Sequence, residues 1–504
     1  MVPINCIPLD VLSLVPVHLS SNRDVFRASF VCRHWRRTFI QCAALWSRLY
    51  LTRARTDLYV KTLLERSKGT VLDIVAVCNP LHRPGTLALL SPHAQRLGNL
   101  DFAYCSWAAI QQFSEVVSGS IPLLQTLKIH SVYEGDEGDE LGRGVIALPS
   151  LPLFTGAVNL KEFRLRSEGL PFLDHFIFPN LTTLELSVVP EEDFPGSQLL
   201  NFLEASPTLR TVNIEIRADA LLGDVPLGRV VVLPNVETFG LSMGEDGLGC
   251  EIAAHISCPS ARLTSLLYEQ NTDDAVSAEI FPTSVSWNAI ARQYAASPVD
   301  EVVLEIMASR NPIITCLLTF LSPGPATLAL GFKIITNGDD DDDEELEMLG
   351  EWHAEIFSQA SMTIRTHPLL ANVKRLRIQD KYIAFDPDEL APIASEVRQL
   401  FKSVGPLDSL TLNVFDLRPY LAPFLDLPEF RDMDQPNVFP PVKELTIAQP
   451  PWTPAKQKCM AAVVELAKSQ HTLGVPFEHV TIRLKDPPPE ITEWLSPWVG
   501  EVHC

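Results

Sequence analysis

The chain has 504 residues, of which 46% are hydrophobic and 20% are charged, and its formal net charge is −22 at pH 7. This length exceeds that of a typical single compact domain, so it predicts several domains or a repeat architecture. Residues 1–68 contain 11 Lys or Arg and 4 Asp or Glu, a balance of +7, which leaves −29 for the rest of the chain. An acidic body disfavours nucleic acid as a partner, whereas the basic first segment suits an acidic protein surface.

Ten cysteines are scattered through the sequence without a CxxC pair. This usage is typical of a reducing compartment, and no disulfides are expected. The first residues lack the basic region of a signal peptide, and no apolar run predicts a membrane span. The sequence therefore predicts an intracellular protein of the cytoplasm, the nucleus or both, with no membrane partner.

The first predicted elements are short helices rich in apolar and basic residues. The segment Ile7–Leu19 (IPLDVLSLVPVHL) has Pro8 in a first-turn position and Asp10 near the positive end of the helix dipole. The segment Val31–Trp46 (VCRHWRRTFIQCAALW) combines large apolar side chains with three arginines at helical spacing. A unit this small cannot bury all of these apolar side chains, so the pattern predicts a surface that needs a partner.

In their order and approximate spacing these segments resemble the F-box, and the predicted unit covers residues 1–55. In that family a three-helix unit packs on the Skp-family adaptor of a cullin-RING ubiquitin ligase, so the resemblance implies the same role here. The residues that match the family pattern, and are therefore expected to bind the adaptor, are Pro8, Leu9, Val11, Leu12, Val15, Leu19, Val31, Cys32, Trp35, Arg36, Leu45 and Trp46.

One residue departs from the family pattern. Pro16 lies inside the first predicted helix, where a proline removes a backbone hydrogen bond and costs ~3 kcal/mol unless the helix is already bent there. This departure leaves a second interpretation open, in which the unit is a structural cap and Trp35 and Trp46 are core residues of the larger domain.

From residue 97 onward a unit recurs that consists of an apolar residue, two mostly polar residues, an apolar residue, any residue and another apolar residue. Its last two apolar positions alternate as in a half-buried strand. Proline often lies one or two residues before the first apolar position, as Pro122, Pro179 and Pro207 do. Segments of this kind include LQTLKI (Leu124–Ile129), LKEFRL (Leu160–Leu165), LTTLEL (Leu181–Leu186), LRTVNI (Leu209–Ile214), VETFGL (Val236–Leu241), VKRLRI (Val373–Ile378), LDSLTL (Leu407–Leu412), VKELTI (Val442–Ile447) and FEHVTI (Phe477–Ile482).

The period and shape of this unit resemble leucine-rich repeats of the irregular kind that follow F-boxes in ligase receptors. The resemblance implies an α/β fold, in which a three-helix F-box precedes an irregular leucine-rich-repeat solenoid with short parallel strands on its concave side and helices and loops outside. The predicted boundaries are 1–55 for the F-box, 56–96 for a linker and N-terminal cap, 97–484 for the solenoid and 485–504 for a tail. The Asn that usually follows each strand is absent, so we expect a distorted solenoid.

Several features outside the strands are also predicted. Helices are expected at 198–205, 388–403 and 454–470, and Trp494 and Trp498 are expected to seal the C-terminal end of the solenoid. Two insertions interrupt the repeats, one at Glu134–Gly144 and an acidic one at 337–350. The acidic insertion is expected to be a solvated loop, with contact to a basic substrate as the alternative.

The sequence contains no phosphate-binding glycine loop, no nucleophile elbow and no HExxH motif, so catalysis is not expected. Cys250, His255 and Cys258 come nearest to a metal site but lack a fourth ligand, and no metal or cofactor is expected. If the strands line a solenoid, the polar residues beside the buried positions face its inner surface. The predicted target-binding residues are Lys128, His130, Arg164, Arg166, Glu185, Glu215, Arg377 and Gln379.

The resemblance to F-box proteins with leucine-rich repeats implies a non-catalytic substrate-recognition subunit of an SCF-type E3 ubiquitin ligase. The F-box would bind a Skp-family adaptor and through it a cullin, while the repeats would hold a protein substrate whose identity the sequence does not reveal. The alternative is a leucine-rich-repeat scaffold or binding protein with a degenerate F-box cap. An enzyme with an unfamiliar site is a third class, although no polar cluster converges at the spacing that chemistry demands.

Overall fold

The structure is a computed structural model, and it divides into two compact units. Unit 1 contains Met1–Thr238 and His255–Ser260, and unit 2 contains Phe239–Ala254 and Ala261–Cys504. The residues that the structure describes are 22–52, 54–77, 84–117, 121–131, 153–154, 156–168, 173, 176–189, 194–216, 222–223, 228–243, 252–271, 299–308, 313–321, 327–335, 353, 356–358, 360–362, 364–365, 373–380, 387–414, 417–421, 441–448, 456–483 and 490–504.

The helices of unit 1 are short and begin at recognisable caps. The Cys32 thiol accepts a hydrogen bond at the start of the second helix, and the Thr56 hydroxyl accepts one from the Tyr59 backbone N–H at the start of the third. The helices are α1 (Asn22–Ser29), α2 (Arg33–Gln41), α3 (Asp57–Ser67), α4 (Pro84–Leu90), α5 (Trp107–Val117) and α6 (Gly196–Glu204), with 3₁₀ turns at Ala43–Trp46 and Ser91–Arg96.

The main sheet of unit 1 is entirely parallel, and each strand pairs with the next main strand along the chain. Its strands are β1 (Arg48–Leu51), β2 (Leu72–Val77), β3 (Leu97–Cys105), β4 (Thr126–Ser131), β5 (Glu162–Glu168), β6 (Thr183–Val189) and β8 (Thr211–Ile216). Two short parallel pairs accompany it: β7 (Phe194–Pro195) with β9 (Leu222–Gly223), and β10 (Val231–Val232) with β12 (Ile256–Ser257). The sheet begins at Arg48, whereas the sequence predicted repeats only from residue 97.

Alternation along each strand of unit 1 builds an apolar core on one face of the sheet. Phe163 is fully buried, and its ring lies 5.0 Å from Phe176, 5.3 Å from Phe178 and 6.2 Å from Phe202, measured between centroids. Tilted and edge-on pairs at these distances contribute about 0.5–1.5 kcal/mol each beyond the burial of their area. This cluster ties β5 to the connection that precedes β6 and to α6.

A ladder of side-chain hydrogen bonds joins successive repeats of unit 1. In four successive repeats, the residue before the first apolar position donates a side-chain hydrogen bond to the backbone carbonyl one position earlier in the preceding repeat. The bonds are Asn159 Nδ2 to Pro122 O at 2.8 Å, Asn180 Nδ2 to Val158 O at 2.8 Å, Thr208 Oγ1 to Pro179 O at 3.2 Å and Asn235 Nδ2 to Pro207 O at 3.0 Å. Each bond satisfies a carbonyl that the strand ladder leaves unpaired. The Asn missing after the strands is thus replaced by polar residues before them.

Unit 2 contains a larger, mixed sheet together with several helices. Strands β14, β17, β18, β19, β20 and β21 pair in parallel in that order. The strands are β11 (Thr238–Met243, at the division between the units), β13 (Leu263–Asn271), β14 (Glu301–Ala308), β15 (Ile313–Leu321), β16 (Thr327–Ile335), β17 (Arg375–Asp380), β18 (Leu407–Val414), β19 (Val442–Ala448), β20 (His479–Arg483) and β21 (Glu501–His503), and the helices are α7 (Pro387–Ser403), α8 (Arg418–Leu421), α9 (Lys456–Thr472) and α10 (Ile491–Leu495).

Strand β15 departs from the predicted parallel solenoid. It pairs antiparallel with β14 on one side and with β16 on the other, and β16 then pairs in parallel with β13. Only residues 309–312 separate β14 from β15, and only 322–326 separate β15 from β16. A parallel return needs a crossover of a dozen or more residues, so connections this short permit only antiparallel neighbours.

A polar network lies on the buried side of β17. The Asp380 carboxylate is 3.0 Å from His353 Nε2 and accepts a hydrogen bond from the Tyr420 hydroxyl of α8. All three residues are at most 5% exposed. Cys316 of β15 is also buried, and burial together with the charge of Asp380 raises the pKa of its thiol. Hydrogen bonds to Asp380 thus connect the strand to helical segments of unit 2.

Most predicted elements agree with the structure. All nine quoted repeat segments overlap strands, and the three predicted helices correspond to α6, α7 and α9. At the C-terminal end, Trp494 is 40% exposed, whereas Trp498 is half-buried and its ring lies 5.6 Å from the His471 ring of α9. The buried residues of this segment are Ile491, Leu495 and Val499. The segment also contains β21, although a tail was expected. Both predicted insertions, Glu134–Gly144 and 337–350, lie outside the described residues.

Candidate functional site

The helical unit at the start of the described chain is anchored by a buried tryptophan. Trp46 is fully buried, and its indole Nε1 donates a 2.8 Å hydrogen bond to the Phe39 carbonyl of α2. Its ring packs edge-on against Phe26 of α1 at 5.2 Å, and the Arg66 guanidinium of α3 lies 4.5 Å from the ring centroid. One side chain therefore holds α1, α2 and α3 together.

The start of α2 is fixed by Cys32 and Trp35. Cys32 has an extended backbone, and its Sγ accepts a hydrogen bond from the Trp35 backbone N–H at 3.4 Å. The Trp35 ring is half-buried and stacks on Phe39 at 5.5 Å. Arg36 Nε donates to the Ser29 carbonyl at 3.3 Å, which links α2 to the end of α1.

An exposed surface of apolar and basic residues covers the other side of α2 and the turn before it. Phe30 is 69% exposed, Val31 50% and Ile40 40%, and the Arg36 guanidinium lies 5.1 Å from the Phe30 ring. The sequence has no Asp or Glu between Asp24 and Asp57, so the surface carries only positive charge. We call it the arginine platform, and its residues are Phe30, Val31, Arg33, Arg36, Arg37 and Ile40.

The predicted adaptor-binding residues occupy different environments. Val31 and Arg36 belong to the arginine platform, while Cys32 and Trp35 are half-buried beside it. Leu45 is 6% exposed and Trp46 is fully buried, so both side chains lie in the core of the described unit, and their contact with the adaptor stays a prediction. The remaining predicted residues lie outside the described part of the chain, namely Pro8, Leu9, Val11, Leu12, Val15 and Leu19.

Six of the eight predicted target-binding residues share one surface in unit 1. Strand register aligns Lys128, Arg164, Glu185 and Asn213 in one row across β4, β5, β6 and β8, and it aligns His130, Arg166, Ser187 and Glu215 in the next row. These positions alternate with buried ones, so they point away from the apolar core. We call this surface the polar face of unit 1.

Ion pairs organise the first row of the polar face. Arg164 lies between two carboxylates, with Nε 2.6 Å from Glu162 Oε1 and a guanidinium nitrogen 3.0 Å from Glu185 Oε2. Lys128 Nζ is 3.9 Å from Glu162. Arg166 lies beside them, exposed and without an acidic partner among the residues described. It is therefore well placed to pair with an acidic group of a bound protein.

Tyr104 joins the second row through a β-bulge. The register between β3 and β4 shifts between Ala103 and Cys105, and Tyr104 has a φ of 58°, a left-handed conformation that costs a non-glycine residue ~1–3 kcal/mol. Its ring is 53% exposed and lies 4.3 Å from the His130 ring. Simple alternation from Leu100 and Phe102 places Tyr104 on the buried face, so the sequence prediction missed it.

The neighbouring strand β3 also carries a charged residue, Asp101, beside the polar face. Burial raises the pKa of the Asp101 carboxyl, which is in register with Lys128, while the charges of Lys128, Arg48 and His130 act in the opposite direction. A carboxyl whose pKa is raised by burial is less well solvated than a free one.

The last two predicted target-binding residues lie in unit 2. Arg377 is exposed on β17, and its guanidinium is 3.0 Å from Glu301 of β14. Glu301 also pairs with Arg375 at 3.3 Å. Gln379 is half-buried on the same strand. The charge of Arg377 is thus balanced within its own unit, unlike that of Arg166.

Potential metal ligands occur in two places. Cys250 lies outside the described residues, the His255 Nδ1 is 2.6 Å from the Arg229 carbonyl, and burial raises the pKa of Cys258 to about 12, which disfavours the thiolate that binds metals. In the described part of the chain, a group with suitable spacing is formed by His479, Glu501 and His503. The sequence prediction missed it because β20 and β21 are separate segments. The alternating Glu-x-His at 501–503 was the available signal.

Comparison with protein-family models gives no match, and no curated protein matches the chain. Among solved structures, one match is the crystal structure of Listeria monocytogenes InlP, which is 13% identical and covers 58% of this chain and 90% of its own, with a TM-score of 0.20. A TM-score this low carries no argument about fold or function. The fold class therefore rests on the strand pairing: it is α/β with long, mainly parallel sheets.

No helix of the described residues combines the length and the apolar character that crossing a bilayer requires.

Proposed function

We propose that this chain is the substrate-recognition subunit of an SCF-type E3 ubiquitin ligase. Its F-box-like N-terminal unit binds a Skp-family adaptor, and through it a cullin, while its repeats, which resemble irregular leucine-rich repeats, bind a protein target. The chain itself performs no bond chemistry. It acts by proximity, because holding a target near a charged conjugating enzyme raises the effective concentration of the target lysine. The site of action is the cytoplasm, the nucleus or both.

The arginine platform is the observation that carries this proposal. Phe30, Val31 and Ile40 remain exposed while Trp46 and Phe39 of the same unit are fully buried. The described part of the unit therefore buries a core and still leaves these apolar side chains exposed, and exposed apolar surface of this kind supports an interaction site. The arginines around it favour an acidic partner and repel a basic one.

The polar face of unit 1 is the proposed target-binding surface. Arg166, Tyr104 and His130 provide an arginine without an acidic partner in the described structure and two adjacent rings, and arginine and tyrosine are enriched among residues that dominate binding energy. Arg164, which is held between Glu162 and Glu185, is already neutralised and contributes orientation more than affinity.

A second candidate function is a scaffold or binding protein in which the F-box-like unit is only a cap. The burial of Leu45 and Trp46 favours it, because these two matches to the family pattern serve the internal core of the chain. Under this alternative, the folded protein binds its target but does not recover an adaptor.

Co-purification of the full chain with a co-expressed Skp-family adaptor tests the proposal. Val31→Asp with Ile40→Asp places two charges on the arginine platform, and we expect at least about tenfold less adaptor than with wild type, because exposed apolar contacts are replaced by desolvated carboxylates. Leu58→Asp is the matched control, since Leu58 is 73% exposed in α3 of the same unit but lies outside the platform. Equal recovery by wild type and the platform variant contradicts adaptor binding at this surface.

The same purification, followed by proteomics, tests the target surface. Arg166→Glu should retain the adaptor and lose the target, because the substitution introduces repulsion against an acidic partner group. Arg210→Glu is the control, because it reverses the charge of an exposed arginine of unit 1 that belongs to neither row of the polar face. Loss of the target in both variants, or in neither, contradicts the assignment of Arg166.

A further inference from the structure

Two histidines and one glutamate, none of which belongs to the arginine platform or to the polar face, form a cluster on the sheet of unit 2. Glu501 and His503 are two residues apart in β21, so their side chains point to the same face. His479 of β20 is directly opposite Glu501 in the strand register, and Thr481 is opposite His503. The backbone pairing of two strands thus brings the three side chains together.

The distances within the cluster suit a metal ion. Glu501 Oε2 is 3.0 Å from His479 Nδ1 and 3.5 Å from His503 Nε2. Zinc bonds of about 2.0–2.1 Å place two ligand atoms of a tetrahedral site ~3.4 Å apart, which these two distances bracket. The ligand atoms of all three residues lie within 4.8 Å of one another. The longest separation therefore shortens by rotation of side chains and needs no backbone movement.

The exposure of the cluster allows that rotation and leaves room for further ligands. The side chains of His479, Glu501 and His503 are 41%, 62% and 59% exposed. The two imidazole rings face each other at 6.3 Å between centroids, with an angle of 27° between their planes. Three protein ligands on an open surface leave coordination positions for water, as in sites that exchange a ligand.

We infer that His479, Glu501 and His503 bind a divalent transition-metal ion such as Zn²⁺. Two imidazoles and one carboxylate form a ligand set that suits zinc and its first-row neighbours better than magnesium or calcium, which prefer oxygen ligands alone. In the structure, Glu501 Oε2 lies within 3.5 Å of one nitrogen of each ring.

The bound ion joins β21 to β20. β21 has three residues, and its pairing with β20 is the contact that ties it to the sheet in the described structure. A metal bridge between the two strands adds a link that the backbone hydrogen bonds of so short a strand provide only weakly.

Titration of ZnCl₂ into the EDTA-dialysed full chain, followed by calorimetry, tests this inference. Wild type should bind one equivalent that His503→Ala weakens by more than about 100-fold, because loss of a mere supporting partner already costs 10–100-fold. Two variants serve as controls: His471→Ala removes an exposed histidine of the same unit, and Cys504→Ser removes the adjacent exposed thiol. Both should bind zinc like wild type.

Two results overturn the inference. One is an equal zinc isotherm for wild type and His503→Ala, and the other is a loss in Cys504→Ser or His471→Ala as large as that in His503→Ala. Titration with Co²⁺ provides a second measurement, in which wild type should give visible bands of nitrogen and oxygen coordination without a thiolate charge-transfer band. A thiolate band assigns the metal to cysteine and contradicts the proposed ligands.

Discussion

The two units of the chain differ in the order of their strands and in the contacts that stabilise their sheets. Unit 1 stacks parallel strands in chain order, with aromatic residues in its core and a ladder of Asn and Thr side chains between repeats. Unit 2 interrupts the parallel order with antiparallel β15 and buries a carboxylate, Asp380, among His353 and Tyr420. In the regular repeats of unit 1, the same side-chain hydrogen bond recurs between successive repeats. In the irregular sheet of unit 2, a single network around Asp380 forms at one place.

This difference predicts where each unit is vulnerable. Unit 1 should be most sensitive to the loss of apolar volume and only mildly sensitive to the loss of one ladder bond. Unit 2 should be sensitive to the loss of a single polar side chain. Hydrogen exchange measured by mass spectrometry reads each unit separately, so the following predictions do not require the two units to unfold together.

The largest expected effect is in the core of unit 1. Phe163→Ala should lower the free energy of unfolding by about 3–5 kcal/mol, because it removes a fully buried ring that contacts three other phenylalanines. Faster exchange in peptides of β5 and β6 is the measurement. Ile177→Ala, at a 59% exposed position, should change stability by less than about 0.5 kcal/mol. Similar effects of both substitutions contradict the assignment of the core.

The next effect is in the polar network of unit 2. Asp380→Ala should destabilise unit 2 by about 3 kcal/mol, because His353 and Tyr420 then lose their shared acceptor in a buried environment. Exchange in peptides of β17 and β18 reports the change. Asp408→Ala is the control, since its exposed carboxylate pairs with exposed Lys443 of β19 at 2.6 Å and a surface pair contributes little. If the Asp380→Ala protein is as stable as the Asp408→Ala control, the Asp380 network does not stabilise unit 2.

The smallest expected effect is in the ladder of unit 1. Asn180→Ala removes one hydrogen bond to the Val158 carbonyl, and we expect a loss of about 0.5–1 kcal/mol with faster exchange in β5 and β6. Asn213→Ala is the control, because this exposed asparagine has no hydrogen-bond partner in the described structure. Equal exchange rates in the two variants would show that the ladder bond does not stabilise the contact between successive repeats.

The sequence predicted the strands well for a physical reason. In segments such as Leu181–Leu186 and Leu407–Leu412, the apolar residues that alternate are those that the sheet buries, so the pattern and the structure have the same cause. The alternation does not indicate whether neighbouring strands pair parallel or antiparallel. The short connections around β15 do indicate the direction, because residues 309–312 and 322–326 are too few to form a parallel crossover.

The site was predictable only in part. Alternation placed Lys128, Arg164 and Glu185 on one face, and register then aligned them. The sequence prediction did not place Tyr104 on the polar face, because a one-residue bulge reverses the face of the sheet on which a side chain lies. The sequence prediction placed Trp46 on a surface that binds a partner. A large apolar residue next to arginines has the same sequence pattern whether it lies in a core or in an interface. Only the burial of the side chain in the folded chain separates the two.

Hydrogen exchange of the full chain with and without the purified Skp-family adaptor tests the central claim most directly. The account predicts that adaptor binding protects the peptides covering residues 30–41, which contain the arginine platform, and leaves the peptides of α3 around Leu58 unchanged. Absence of binding, or binding that leaves residues 30–41 as accessible as in the free protein, contradicts it.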